Sequence, residues 1–380
     1  MRRIAWLAAL AGLAAIALLL AFRGQALASD DGASCPSEHG FVPAFCLSVP
    51  SDAARRETSV PLASAPAVRA DVRVDTAVAP QSAALLASRT DEQVQRLEEL
   101  FGRPFSQRPR IYVFATPASF ATGVHELFGY AAPMALYAAN TYGGIFDRPT
   151  LTIAVNWSAG SAERMTAAIA HELTHLMLHE VSGGRAIPTW LDEGVATTIE
   201  QKTPGGSIWA AEEDLAGRQV ASRVSLKQLD ALADWHAVYT HLGRPLYAYA
   251  ANAVRAVEAR VGWHGLIDVL ANVSSGATFE QAYEQAAGES LSDLADRVVA
   301  GAGAGIVARI EPSGGARWTL FAGSAGPIEI TITGPNGYRL SFTAATDRRY
   351  MYTGTFGGTA APGEYTVSAA GVSVSFVTSR

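Results

Sequence analysis

His171-Glu172-Leu173-Thr174-His175 lies inside a segment written as a helix at both ends. Ser161 stands where an N-cap belongs, and Glu163 falls in the first turn, beside the positive end of the helix dipole. Gly183-Gly184 follow the last periodic residues near Glu180. Such a helix dictates geometry. Four residues advance about 6 Å and overshoot a full turn by about 40°, so both imidazoles leave from one face. Two neutral imidazoles one turn apart suit a Zn2+ ion, and Glu172 sits on the flank of that face, where a carboxylate can take a proton from a water. The motif does not complete a catalytic site, which needs a third protein ligand and one open position.

The next segment offers that ligand. In Pro188-Thr189-Trp190-Leu191-Asp192-Glu193-Gly194-Val195-Ala196, Thr189 and Asp192 form a capping-box pattern that predicts a second helix. Glu193 falls in its first turn as the third ligand, and Gly194 is expected to let the two helices approach closely. Asp192 is the alternative ligand; as a capping group or an outer partner of a histidine it has a second reading. His179 continues the ligand face one turn on, at the surface or behind the ligands. Trp190 is expected to pack against the histidine-bearing helix.

His-Glu-x-x-His followed by Trp-Leu-Asp-Glu-Gly-Val-Ala resembles the gluzincin metallopeptidases, most closely the peptidase MA-like group and the catalytic module of zinc aminopeptidases. The resemblance covers residues 80–300 and is strong at these motifs. It implies Zn2+ held by His171, His175 and Glu193, Glu172 as general base, and a peptide or protein substrate. The implied architecture is α+β: a thermolysin-like catalytic domain made of a small sheet plus a helical bundle. Tyr247-Ala248-Tyr249-Ala250-Ala251-Asn252-Ala253-Val254-Arg255 resembles the family segment whose leading tyrosine stabilises the oxyanion, which implies Tyr247 as the second catalytic residue. The register of Arg255 favours Tyr247 over Tyr249, with His236 and His241 as alternative donors. The Gly-x-Met-Glu-Asn motif by which aminopeptidases hold a free amino terminus is absent, and Gly143-Gly144-Ile145-Phe146 occupies that region. Aminopeptidase specificity is therefore not implied. The third histidine of metzincins is also missing, since Leu178 and Val181 stand at the glycine and histidine positions of that pattern.

Around these motifs the chain is organised as strands first and helices later. Val68, Ala70, Val72 and Val74 alternate with charged residues, the period of a half-buried strand. A helix is expected over Ser82–Phe101, a strand at Ile111–Phe114, a helix around Ala118–Leu127 and a strand at Leu151–Val155. Helices then continue to about Val299, and 67–300 is taken as the catalytic domain. Gly301-Ala302-Gly303-Ala304-Gly305 lacks the spacing of a phosphate loop, so 301–306 is expected to be a hinge. Short apolar runs such as Ile328–Ile332, Tyr338–Phe342 and Tyr365–Val367, separated by turn residues, predict a small β-sandwich over 307–380, an accessory that needs no ligand of its own.

At the other end, apolar residues run from Ile4 to Phe22 behind Arg2-Arg3, followed by Ala26-Leu27-Ala28. This predicts export, with 1–28 either cleaved as a signal peptide or kept as an anchor through 4–22 with the body outside. In an exported protein, Cys35 and Cys46, an isolated pair, are expected to form a disulfide within an extension and linker over 29–66. Composition closes off other classes. With 49% hydrophobic residues the chain is not disordered, and a net charge of −6 is not the footprint of a nucleic-acid binder. Oligomeric state leaves no mark in the sequence. Two other functions share the same motif: a non-catalytic, zinc-stabilised binding protein, and a zinc hydrolase of non-peptide amides. The first would tolerate any polar residue at 172, and glutamate there argues against it.

Overall fold

The computed structural model describes residues 57–159, 161–206, 210–221, 223–300, 304–310, 316–322, 326–346, 351–356 and 361–378. The leader 1–28, the Cys35–Cys46 pair, the linker up to residue 56 and 301–303 of the hinge lie outside the described residues. Among the described residues, no helix is long and apolar enough to cross a membrane.

Five strands form the first sheet: β1 (Leu62–Ser64), β2 (Asp71–Asp75), β3 (Arg110–Phe114), β4 (Gly144–Asp147) and β5 (Thr152–Asn156). Their order is β1-β2-β3-β5-β4. The central pairs β2–β3 and β3–β5 are parallel, and the outer strands β1 and β4 run antiparallel to their neighbours. Parallel strands covered on both faces need apolar residues at successive positions, and Ile111–Phe114 and Ile153–Val155 supply them. Ile111, Val113, Ile153 and Val155 face one core, shared with α1 (Pro80–Phe101) and α4 (Ala162–Val181). Tyr112, Phe114 and Ala154 face the other, under α2 (Pro117–Phe128) and α3 (Ala132–Thr141). The alternating run at 68–74 is only partly a strand. Val68 is 80% exposed, and Asp91 of α1 accepts the amides of Val68 and Arg69 at 2.7 Å each, so pairing begins at Asp71.

The helical half comprises α4, α5 (Thr189–Lys202), α6 (Ala210–Ala221), α7 (Leu232–Leu242), α8 (Pro245–Ser274), α9 (Phe279–Ala287) and α10 (Leu291–Ala300). α8 is broken at Gly262, whose φ of 72° and ψ of 171° leave the helical region. Ser161 caps α4, accepting the Arg164 amide at 3.4 Å. The capping box expected at the start of α5 does not form. Pro188 is the N-cap, the Thr189 hydroxyl donates to the Asp230 carbonyl, and the Asp192 carboxylate is engaged elsewhere. Gly194 also serves a different contact from the one expected: a Cβ there would stand 2.5 Å from the Ala250 carbonyl oxygen, so it brings α5 close to α8 rather than to α4. Trp190 is buried, its indole N–H donating to Asp230 and its ring meeting Phe279 of α9 edge-on.

The C-terminal strands are β6 (Gly305–Ile310), β7 (Ala316–Phe321), β8 (Pro327–Thr333), β9 (Arg339–Ala345), β10 (Met351–Phe356), β11 (Gly363–Ala369) and β12 (Val372–Thr378). They make two antiparallel sheets, β10-β7-β6 and β12-β11-β8-β9, around a shared core of Trp318, Leu320, Ile330, Ile332, Tyr365, Val367 and Phe376. The molecule is thus α+β, a small sheet and helical bundle followed by a β region.

Candidate active site

The packed face of α4 is apolar: Met165, Ile169, Leu173 and Leu176 are all buried. That docking leaves the histidine face turned toward α5. The His171 and His175 rings lie 4.9 Å apart between centroids. Glu193, from the first turns of α5, points Oε2 between them, 3.4 Å from His171 Nε2 and 3.6 Å from His175 Nε2. The ligand atoms of these three residues all lie within 4.8 Å of one another.

Each imidazole is fixed from behind. His171 Nδ1 is 3.1 Å from Glu200 Oε2, and His175 Nδ1 is 2.7 Å from Asp192 Oδ1. A carboxylate accepts, so each Nδ1 donates and each Nε2 is left facing inward. Asp192 is therefore placed behind His175, not among the inward-facing atoms, and its other oxygen accepts from Arg148 at 2.5 Å. Glu193 Oε2 is buried between the two Nε2 atoms without a hydrogen bond. Burial lowers the basicity of His171 and His175, but the carboxylates around them prevail and hold both above the ordinary histidine value, His171 by Glu193 and Glu200 and His175 by Asp192 and Glu193. The cluster favours positive charge at its centre, and the donor set of two imidazoles and a carboxylate is the one zinc takes in hydrolases.

Glu172 is buried beside this cluster, and burial pushes its carboxyl above the usual range against the pull of the two histidines. The edge strand β4 passes directly over it: a Cβ added at Gly144 would stand 2.8 Å from both Cγ and Oε1 of Glu172. Tyr247, in the first turn of α8, packs its ring 6.2 Å from that of His171, between Trp235 and Tyr239 of α7 at 5.2 and 5.5 Å. Burial and the Glu193 carboxylate hold its phenol well above the usual value.

Residues 91–300, more than half of the chain, match the family model of the Peptidase MA superfamily. The chain belongs to this superfamily. Among solved structures, Legionella pneumophila aminopeptidase A in complex with aspartic acid is similar at 12% identity, with a TM-score of 0.36, over 76% of this chain and 34% of that one. The chain spans about a third of that protein's length. No curated protein matches it.

In this Peptidase MA superfamily member, the remaining candidates fall away from the cluster to different degrees. Tyr249 is fully buried in the helical core, with no hydrogen-bond partner for its hydroxyl. His241 is exposed at the end of α7. His236 lies within reach of the Tyr142 hydroxyl at 3.4 Å, and burial lowers its basicity against the influence of Glu193. His179 meets Phe146 of β4, its ring centroid 6.1 Å away, and is not among the converging ligand atoms. Two contributors escaped sequence reasoning, Glu200 and Arg148. Glu200 had a signal: it follows Glu193 by two helical turns, which puts both carboxylates on one face of α5. Arg148 comes from the turn after β4 and had none.

Proposed function

We propose that the chain is an exported, zinc-dependent metallopeptidase of the gluzincin type, hydrolysing peptide bonds with a water activated by Glu172. The observation that carries this reading is the buried Glu193 Oε2, without a hydrogen bond and flanked by two inward-facing Nε2 atoms. His171, His175 and Glu193 would hold the metal, and the typical metal dependence of the superfamily supports the same assignment. Zinc there supplies Lewis acidity, polarising the scissile carbonyl and making a neighbouring water more acidic.

The protein's own groups do the rest. Glu172 accepts the proton as water adds to the carbonyl carbon, then delivers it to the nitrogen as the C–N bond breaks; its raised pKa suits both halves of that transfer. Tyr247 stays protonated in its buried setting and donates to the developing oxyanion. Among the described strands β4 pairs with β5 alone and ends the sheet order, so its outer edge offers main-chain groups to an extended peptide beside Glu172. The apolar leader supports export, by cleavage after Ala28 or by retention as a tether.

The deciding experiment incubates the zinc-loaded chain with N-terminally blocked and free peptides, reads products by mass spectrometry, and runs Glu172→Gln alongside. Blocked peptides should be cut, and Glu172→Gln should keep its zinc while losing about 10²–10⁴-fold in turnover. Retained turnover in the variant would remove Glu172 from the role. A zinc-loaded wild-type protein that cuts nothing would leave the non-catalytic binding protein.

A further inference from the structure

Arg244 is the N-cap residue of α8, where a cation meets the positive end of the helix dipole. Local helix chemistry disfavours an arginine there, and its three contacts explain it instead. Nη2 lies 3.6 Å from Glu200 Oε1, the carboxylate whose other oxygen holds His171 Nδ1. Nε lies 3.1 Å from Glu213 Oε1 of α6. The guanidinium carbon stands 5.9 Å from the centroid of the Tyr247 ring. The side chain is half-exposed, and surface ion pairs of this kind add little to stability. What distinguishes this one is where it leads: one branch ends on a candidate metal ligand, and another on the candidate oxyanion donor three residues along the chain.

Resting on the zinc-peptidase reading above, we propose that Arg244 is a positioning residue that orients the His171 ring through Glu200 and, with its planar face, fixes the ring of Tyr247. The two effects separate by chemistry. A lysine keeps the charge that Glu200 needs but lacks the flat guanidinium that lies against an aromatic ring. A methionine keeps bulk and loses both.

The test uses the full chain and three readouts: zinc affinity by competition with a chromophoric chelator, kcat and KM on a cleaved peptide, and thermal melting. Arg244→Met should weaken zinc binding by about 10–100-fold and lower kcat by a similar factor. Arg244→Lys should hold zinc within about threefold of wild type yet lose about tenfold in kcat, with KM little changed. In a Tyr247→Phe background, Arg244→Lys should lower kcat by less than about twofold more, because the ring hydroxyl it serves is gone. The proposal is overturned if Arg244→Met keeps zinc affinity and kcat while only melting earlier, or if the Arg244→Lys and Tyr247→Phe losses multiply. If Arg244→Met does not fold, Arg244→Lys and the double variant carry the decision. A wild type that binds zinc but cuts no peptide would sink the peptidase mechanism alone, since the chelator competition still tests the His171 branch.

Discussion

A methyl group at position 144 has nowhere to go, because Cγ and Oε1 of Glu172 both lie 2.8 Å from where its carbon would stand. Either β4 or the carboxylate must shift, and the nearest atoms are all those of Glu172. Gly144→Ala should therefore lower kcat by about 10²-fold, the scale on which small misplacements act, with zinc content unchanged. Steady-state kinetics beside metal analysis checks this, and full activity would detach β4 from Glu172. At this scale the sequence was legible where chemistry repeats along one helix: His171, Glu172 and His175 are fixed by a turn of α4, and Glu193 by the start of α5. At Asp192 the outer-partner reading held and the capping reading failed. The Thr189–Asp192 pattern is a local capping signal, but His175 and Arg148 are charged or strongly polar partners brought in by the fold, and they hold the carboxylate instead.

Among the elements, Asp75 shows how a single carboxylate joins two strands. Its oxygens accept the amide of Ala77 at 2.9 Å, just past β2, and that of Ala115 at 3.1 Å, just past β3. Burial raises its pKa, but these amides and the Ser119 hydroxyl outweigh burial and hold it below the usual range. A depressed folded pKa adds stability above the unfolded value of about 3.9, and that stability is lost as pH falls through the folded value. Asp75→Asn should then cost about 1.5–3 kcal/mol at pH 7, with the gap to wild type closing in acid as the pH falls through the depressed folded value. Urea unfolding at the two pH values measures it, and an equal gap at both would assign the loss to packing. Strands with continuous apolar runs were legible within a residue, as at Ile111–Phe114, because burial on both faces leaves no other reading. The alternation at 68–74 was less informative, since Asp91 takes the first two amides away from the sheet and period two does not reveal such a competitor.

For the whole molecule, the candidate ligands tie α4 to α5, and Gly194 brings α5 against α8. An ion bound there stabilises the folded state by mass action. Free zinc at about a thousand times its dissociation constant should add about 4 kcal/mol. Calorimetry with zinc and with a chelator should show melting shifted by about 10 °C, and His175→Ala should abolish the shift. An unchanged melting temperature would mean that no ion links these helices. The fold class was legible because the strand-rich start, helical middle and turn-punctuated end are separate textures. The sheet order was not: β4 reaches the edge only by crossing beyond β5, and no local pattern encodes that. Its position at the edge has a consequence for diet. A strand that grips through amide and carbonyl groups is indifferent to most side chains, so neighbouring pockets must set any sequence preference. Proline is the exception. Lacking an N–H, it would break the proposed ladder wherever it fell opposite β4, so proline-rich stretches should pass β4 uncut.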